Sequence, residues 1–153
     1  IGQGPVLVTP AQVAVHTSIL ANRGRKPVPH LLGPGEPAVA PGSGSRGGRI
    51  SANVLETVVN GMWRCVNEGG TGKGAAVEGF DICGKTGTTQ TIGRETAERL
   101  GRTVRPHSWF TGFAPRDKPR VVVTVLVEFG GMGGATAAPL AGELFKLFRD
   151  KND

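Results

Sequence analysis

The sequence predicts an α+β fold in which three antiparallel strands pack between helices on both faces. Three observations carry this expectation. Val121-Val122-Val123-Thr124-Val125-Leu126-Val127 is apolar on both alternating sides, the pattern of a strand covered on each face. Two segments with helix-start chemistry precede the strands, and one helical segment follows them. Pro115 to Pro119 reads as a hairpin turn, so the strands on either side of it are antiparallel neighbours.

In chain order, Thr9-Pro10-Ala11-Gln12 opens the first helix. Thr9 serves as N-cap, Pro10 takes the first helical position, where a missing N–H is harmless, and Gln12 reaches back as in a capping box. This helix runs to about Asn22 and Gly24 stops it. Residues 25–49 are dominated by Pro, Gly, Ser and Arg and read as a loop. A second helix starts at Ser51, with Leu55, Val58, Met62 and Val66 on its inner side, and Gly69-Gly70 closes it. Strands follow from Ile82 to about Thr91 and from His107 to Ala114, joined by a charged segment with a short helix around Glu95 to Leu100. The third strand spans Arg120 to Glu128. After the Gly130–Gly134 loop, Thr136 to Arg149 forms a helix whose Leu140, Leu144, Leu147 and Phe148 are expected to face inward. Three strands make a thin sheet, and the Val-rich strand is left with one edge unfilled.

Composition narrows the function. The 153 residues suffice for one domain with a core, but 25 Gly, 11 Pro and no Tyr describe a loop-rich chain. No apolar run approaches the roughly 20 residues of a membrane-spanning helix. Ile1 opens without a positively charged leader, so neither anchor nor signal is expected within these residues. The net charge of +6 is spread along the chain. Its densest cluster, Arg23, Arg25 and Lys26, has no interleaved aromatics and reads as a solvated face rather than a nucleic-acid site. Cys65 and Cys83 lack a second pair for tetrahedral zinc and sit in apolar segments, so buried thiols are expected. A disulfide between them stays open, on condition that their Cα atoms lie within about 7 Å.

The chemistry-bearing stretch is Gly84-Lys85-Thr86-Gly87-Thr88-Thr89-Gln90 at a strand start. Lys-Thr-Gly is one of three motifs of serine acyltransferases that act on D-alanyl peptides and β-lactams. Alone it is weak, arising by chance in a chain this long on the order of a few per cent of the time. Four blocks in order strengthen it: Ile1-Gly2-Gln3-Gly4 with Thr9-Pro10-Ala11-Gln12, Gly84-Lys85-Thr86-Gly87-Thr88, His107-Ser108-Trp109-Phe110-Thr111-Gly112-Phe113-Ala114-Pro115, and Ala137-Ala138-Pro139. With these blocks, residues 1–153 resemble the C-terminal part of the transpeptidase domain of class B penicillin-binding proteins, most like the elongation-type penicillin-binding protein 2 branch.

That resemblance implies a partial β-lactamase/transpeptidase-like fold lacking two N-terminal strands, whose absence would account for the unfilled edge. It implies acyl transfer, in which a serine attacks the carbonyl between two D-alanines and a neighbouring amine resolves the acyl-enzyme. Lys85 would place a positive charge beside the nucleophile and the substrate carboxylate, and Thr86 and Thr88 would donate hydroxyls to that carboxylate. Gly87 would let the substrate lie against the strand edge, and the backbone N–H of Thr88 would be one oxyanion donor. No cofactor or metal is implied. The implied partners are the D-Ala-D-Ala stem peptide, β-lactams, the remainder of the chain's own polypeptide and a SEDS-family glycosyltransferase. The implied location is the extracytoplasmic face of the membrane, held by an N-terminal anchor outside these residues. The bare strand edge would favour self-association of the isolated chain.

Other motifs are weighed against this reading. No Ser is followed three residues later by Lys, so the nucleophile and its base are missing and the chain alone is expected to be inactive. Ser51-Ala52-Asn53 matches Ser-x-Asn but follows the Gly-Gln-Gly block instead of preceding it, so Ser51 is better read as an N-cap. His107 and Trp109 are expected to be structural, and Glu78 and Asp81 to be loop charges. Gly69-Gly70-Thr71-Gly72-Lys73-Gly74 suggests a phosphate loop but fails it at Asn67 and Gly74. Thr89, where alanine is common, and Arg23, where Asn-Gly-Gly usually ends the helix, depart from the family pattern. Two other readings remain: a β-lactam sensor or β-lactamase-like domain of the same fold, and a basic domain that binds anionic polymer.

Overall fold

Residues 6–29, 50–90, 93–101 and 105–152 are described by a computed structural model of the chain. Ile1 to Gly4 and most of the 25–49 loop lie outside them. The element order is α1 (Pro10–Ala21), α2 (Ala52–Asn67), a 3-10 turn (Lys73–Ala75), β1 (Cys83–Thr89), α3 (Arg94–Arg99), β2 (His107–Ala114), β3 (Val121–Val127) and α4 (Ala137–Asn152). The sheet is antiparallel in the order β1-β2-β3, with Lys85 opposite Thr111 and Thr111 opposite Thr124. Among the described residues no strand pairs with the outer edge of β1 or of β3.

Local chemistry starts α1 and α2 as expected. At α1, Thr9 Oγ1 accepts from Gln12 N–H at 3.2 Å while Thr9 N–H donates to Gln12 Oε1 at 2.8 Å, a complete capping box. At its other end Arg23 and Gly24 both take positive φ, 54° and 92°, and reverse the chain. Ser51 Oγ accepts from Val54 N–H to cap α2.

Alternation along the strands splits the core into two layers. On one face Cys83, Phe113 and Val122 meet Ala21 of α1 and Val59 and Met62 of α2. On the other, Phe110 and Val123 meet Ala137, Ala138, Ala141 and Phe145 of α4. Helices therefore cover both faces of β3, although Val123 alone in that strand is buried and its neighbours are half-buried.

Two expected helix faces are corrected. On α2 the buried apolar stripe is Leu55, Val59, Met62 and Val66, and Val58 points out. On α4, Leu140, Leu144 and Leu147 are 49%, 47% and 55% exposed, and the buried side is Ala137, Ala138, Ala141, Gly142 and Phe145. Close approach explains this choice. A Cβ on Gly142 would lie 3.0 Å from the Gly74 carbonyl, so the helix meets the 3-10 turn at a distance only small residues permit. Reading periodicity by the largest apolar residues selects the wrong side of such a helix. Phe148 is half-buried, beneath the Arg120 guanidinium at 5.6 Å.

Candidate active site

β1 presents the Lys-Thr-Gly residues along an edge, and strand alternation sorts them by face. Lys85, Gly87 and Thr89 project to the α1 side, where Lys85 pairs across the strands with Thr111. They line a groove of about 890 Å³ with Val13, His107, Trp109 and the extended segment Val6 to Val8. Thr86 and Thr88 project to the α4 side, opposite Phe110 and Ser108. The structure thus brings Lys85, Thr86, Gly87 and Thr88 to one strand edge, with the ammonium and the two hydroxyls on opposite faces of it.

Each side chain is held by neighbours. Lys85 is exposed, its Nζ donates to the Thr86 carbonyl at 2.8 Å, and no carboxylate pairs with it among the described residues. Thr86 Oγ1 lies 2.7 Å from Thr71 Oγ1. Thr88 Oγ1 accepts the Gly133 N–H at 3.2 Å. Thr89 Oγ1 accepts from Trp109 Nε1 at 3.1 Å. On the α1 side, Thr17, Thr111 and Thr124 form a hydroxyl chain at 2.7 and 2.8 Å, and Thr17 closes it by donating to the Val13 carbonyl. This chain ties α1 to the floor of the groove.

Several positioning residues are not visible in the motif. Ser108, fully buried, accepts the Ala137 N–H at 3.0 Å and donates to the Met132 carbonyl at 3.2 Å, so one hydroxyl fixes both the loop after β3 and the start of α4. His107 Nδ1 accepts the Phe129 N–H at 2.9 Å, which leaves the imidazole proton on Nε2. Its ring meets Phe129 edge-on at 4.9 Å, so His107 anchors that loop. Gly133 is buried against the Gly87–Trp109 pair and has no room for a side chain. Thr71 lies in the glycine-rich segment dismissed as a phosphate loop, and that segment packs against β1. Only the glycine content of 69–74 and 130–134 hints in sequence at such close contacts.

Other titratable groups lie off this edge. The Glu56 carboxyl is held below its usual value by hydrogen bonds from Arg23 and then Arg116, and so links α1, α2 and the β2–β3 turn. Asp81 accepts from Trp63 Nε1 at 3.0 Å. Both cysteines are free, Cys83 buried and Cys65 half-buried. Burial pushes the Cys83 thiol up to about 12, so it is no nucleophile at neutral pH. Iodoacetamide at pH 8 is expected to modify Cys65 and to spare Cys83 until the chain unfolds; equal native-state rates for both would contradict this. Because an ordinary thiol ionises near 9.0, the folded state holds this proton through a pH range in which the unfolded chain has lost it. Stability therefore falls as pH rises from about 9 towards 12, and Cys83→Ala should flatten that fall.

A three-stranded antiparallel sheet between helices, with Lys-Thr-Gly on an edge strand, is the transpeptidase and β-lactamase-like class of fold. The chain belongs to the penicillin binding protein transpeptidase domain family, whose profile matches residues 1–146. It is 36% identical to the peptidoglycan D,D-transpeptidase MrdA of Haemophilus influenzae, over 97% of this chain and 25% of that protein. Its fold superposes on the crystal structure of Pseudomonas aeruginosa PBP2 in complex with WCK 5153 with a TM-score of 0.80 and 33% identity, covering 97% of this chain and 32% of that one. Helicobacter pylori PBP2, solved in complex with MreC, is similar at 26% identity and a TM-score of 0.67, over 96% of this chain and 26% of that one. The chain thus spans about a quarter of the length of the curated relative and about a third of the Pseudomonas structure.

Proposed function

We propose that this chain is the C-terminal part of a peptidoglycan D,D-transpeptidase and supplies the wall of the active site that holds the substrate. The observation that carries the reading is the edge of β1, unpaired among the described residues, where an ammonium with no carboxylate partner among them and two anchored hydroxyls stand within four consecutive residues. A stem peptide ending in D-Ala-D-Ala would lie along this edge as an added strand. Lys85 would attract its terminal carboxylate, Thr86 and Thr88 would hydrogen-bond it, and the Thr88 N–H would donate to the oxyanion. A serine on the remainder of the polypeptide would attack the carbonyl, breaking the C–N bond and releasing D-alanine. An amine of a neighbouring peptide would then displace the serine oxygen from the ester and complete the cross-link. β-Lactams would occupy the same edge and acylate the same serine.

The outer edge of β3 is where further strands of the polypeptide would pair. No helix among the described residues is long and apolar enough to cross a membrane, so an anchor placing the domain on the extracytoplasmic face would come from other segments. The similar Helicobacter protein is solved in complex with MreC, so a partner of that kind is proposed for the whole protein, beside the SEDS-family glycosyltransferase that the family resemblance implies.

Incubation with a fluorescent penicillin tests the reading. The isolated chain should give no covalent adduct, whereas the complete polypeptide should be labelled on a serine outside residues 1–153, and Lys85→Ala should slow that labelling at least tenfold. A labelled serine within this chain would refute it.

A further inference from the structure

We infer that Thr71 is a positioning residue that turns the single hydroxyl proton of Thr86 towards an anionic substrate carboxylate; the inference rests on the transpeptidase reading. The two hydroxyl oxygens are 2.7 Å apart, although the residues are 15 positions apart in sequence. Thr71 is exposed and Thr86 half-buried, so the pair sits at the accessible margin of the α4 side of β1. On its far side Thr71 Oγ1 lies 3.6 Å from Cys65 Sγ, a sulfur-range hydrogen-bond contact.

A hydroxyl has one proton to give and two lone pairs that accept. Between two hydroxyls the shared proton runs one way or the other, and the two arrangements differ in what they leave for a ligand. If Thr86 donates to Thr71, Thr86 offers a carboxylate only lone pairs, which repel it. If Thr71 donates to Thr86, the Thr86 proton is directed elsewhere and meets the carboxylate as a donor. An anion at the edge selects the second arrangement, because a charge-assisted bond to a carboxylate is roughly twice as strong as a neutral one. In that arrangement the bonds run in one direction, from the Cys65 thiol to Thr71, from Thr71 to Thr86 and from Thr86 to the anion, and each polarises the next. Thr88 receives comparable support, since its Oγ1 accepts the fixed N–H of Gly133 at 3.2 Å. Two loops on the same side of β1 thus each fill an acceptor site on one of the two threonines.

The geometry that holds Thr71 is specific. The Gly72 N–H donates to the Cys65 carbonyl at 3.0 Å, which folds the segment back on the end of α2. Gly134 packs against the Thr71 carbonyl at a distance that admits no side chain, so the loop after β3 presses the segment onto β1.

The test uses the complete polypeptide and two probes, a fluorescent penicillin with its free carboxylate and the methyl ester of the same compound. The quantity read in each variant is the ratio of the two acylation rates, so a variant with a reduced folded fraction, which slows both probes alike, does not mimic the effect. Thr71→Val should slow the carboxylate probe about tenfold and the ester less than twofold, the scale of one supported hydrogen bond to a charged group. Thr71→Ser, which keeps the hydroxyl, should stay within twofold of the unmodified protein for both. In a Thr86→Val background, Thr71→Val should change the ratio no further. An unchanged ratio in Thr71→Val, or a fall that persists in the Thr86→Val background, overturns the inference while labelling of the unmodified protein leaves the transpeptidase reading standing. Failure of the unmodified polypeptide to be labelled by either probe overturns both.

Discussion

Replacing Phe110 with alanine is expected to cost about 3–5 kcal/mol of stability and to lower the melting temperature by roughly 10 °C or more. Phe110 is fully buried at the centre of the sheet face beneath α4. Its ring lies over the paired glycines of the two strands, Gly84 and Gly112. A Cβ on Gly84 would come within 2.9 Å of the ring Cε2 and closer still to Cζ, and one on Gly112 would come within 3.0 Å of Cε1. The glycine that opens Gly84-Lys85-Thr86-Gly87 is therefore the floor on which the core aromatic rests. Gly84→Ala should itself cost about 1–3 kcal/mol by overpacking, and much less in a Phe110→Leu background, where the clashing ring is gone. Urea unfolding of the four proteins measures the coupling; strictly additive costs would show that the ring and Gly84 do not share this space.

Gly133→Ala is expected to abolish most penicillin acylation of the complete polypeptide while costing about 1–3 kcal/mol in folding. The added Cβ would lie 2.5 Å from the Trp109 carbonyl oxygen and nearer still to that of Gly87. Both are sheet backbone and do not give way, so the loop after β3 must lift from β1. Lifting it withdraws the Gly133 N–H from Thr88 Oγ1 and strains the Ser108 bond to the Met132 carbonyl. A mid-helix control separates this from a general intolerance of alanine. Gly61 of α2 has open space at its Cβ position, and Gly61→Ala should be stabilising by about 0.5–1 kcal/mol. Acylation by Gly133→Ala at the unmodified rate would mean that the loop has no part in holding Thr88.

What could be read ahead of the structure followed from local rules. The caps at Thr9 and Ser51 are side-chain-to-backbone bonds within three residues, so composition alone reveals them. The β2–β3 turn and the helix cover on both faces of Val121–Val127 likewise follow from short-range pattern, although the strand is for the most part half-buried. The α4 face failed because close packing against Gly74 selects small residues, and nothing in that helix records its partner. At the site, the strand carrying Lys85, Thr86, Gly87 and Thr88 was legible as a motif. Its supports were not, because Thr71, Ser108 and Gly133 reach β1 from loops distant in sequence.

The sequence by itself determined the elements, their order and the motif, because capping, turn chemistry and strand alternation act over a few residues. Only the tertiary structure decided that Thr86 and Thr88 are each held from outside the strand, by Thr71 and by the Gly133 N–H. The physical reason is that a hydroxyl's orientation is set by the hydrogen-bond partner it meets, and these partners arrive only when two glycine-rich loops fold against β1.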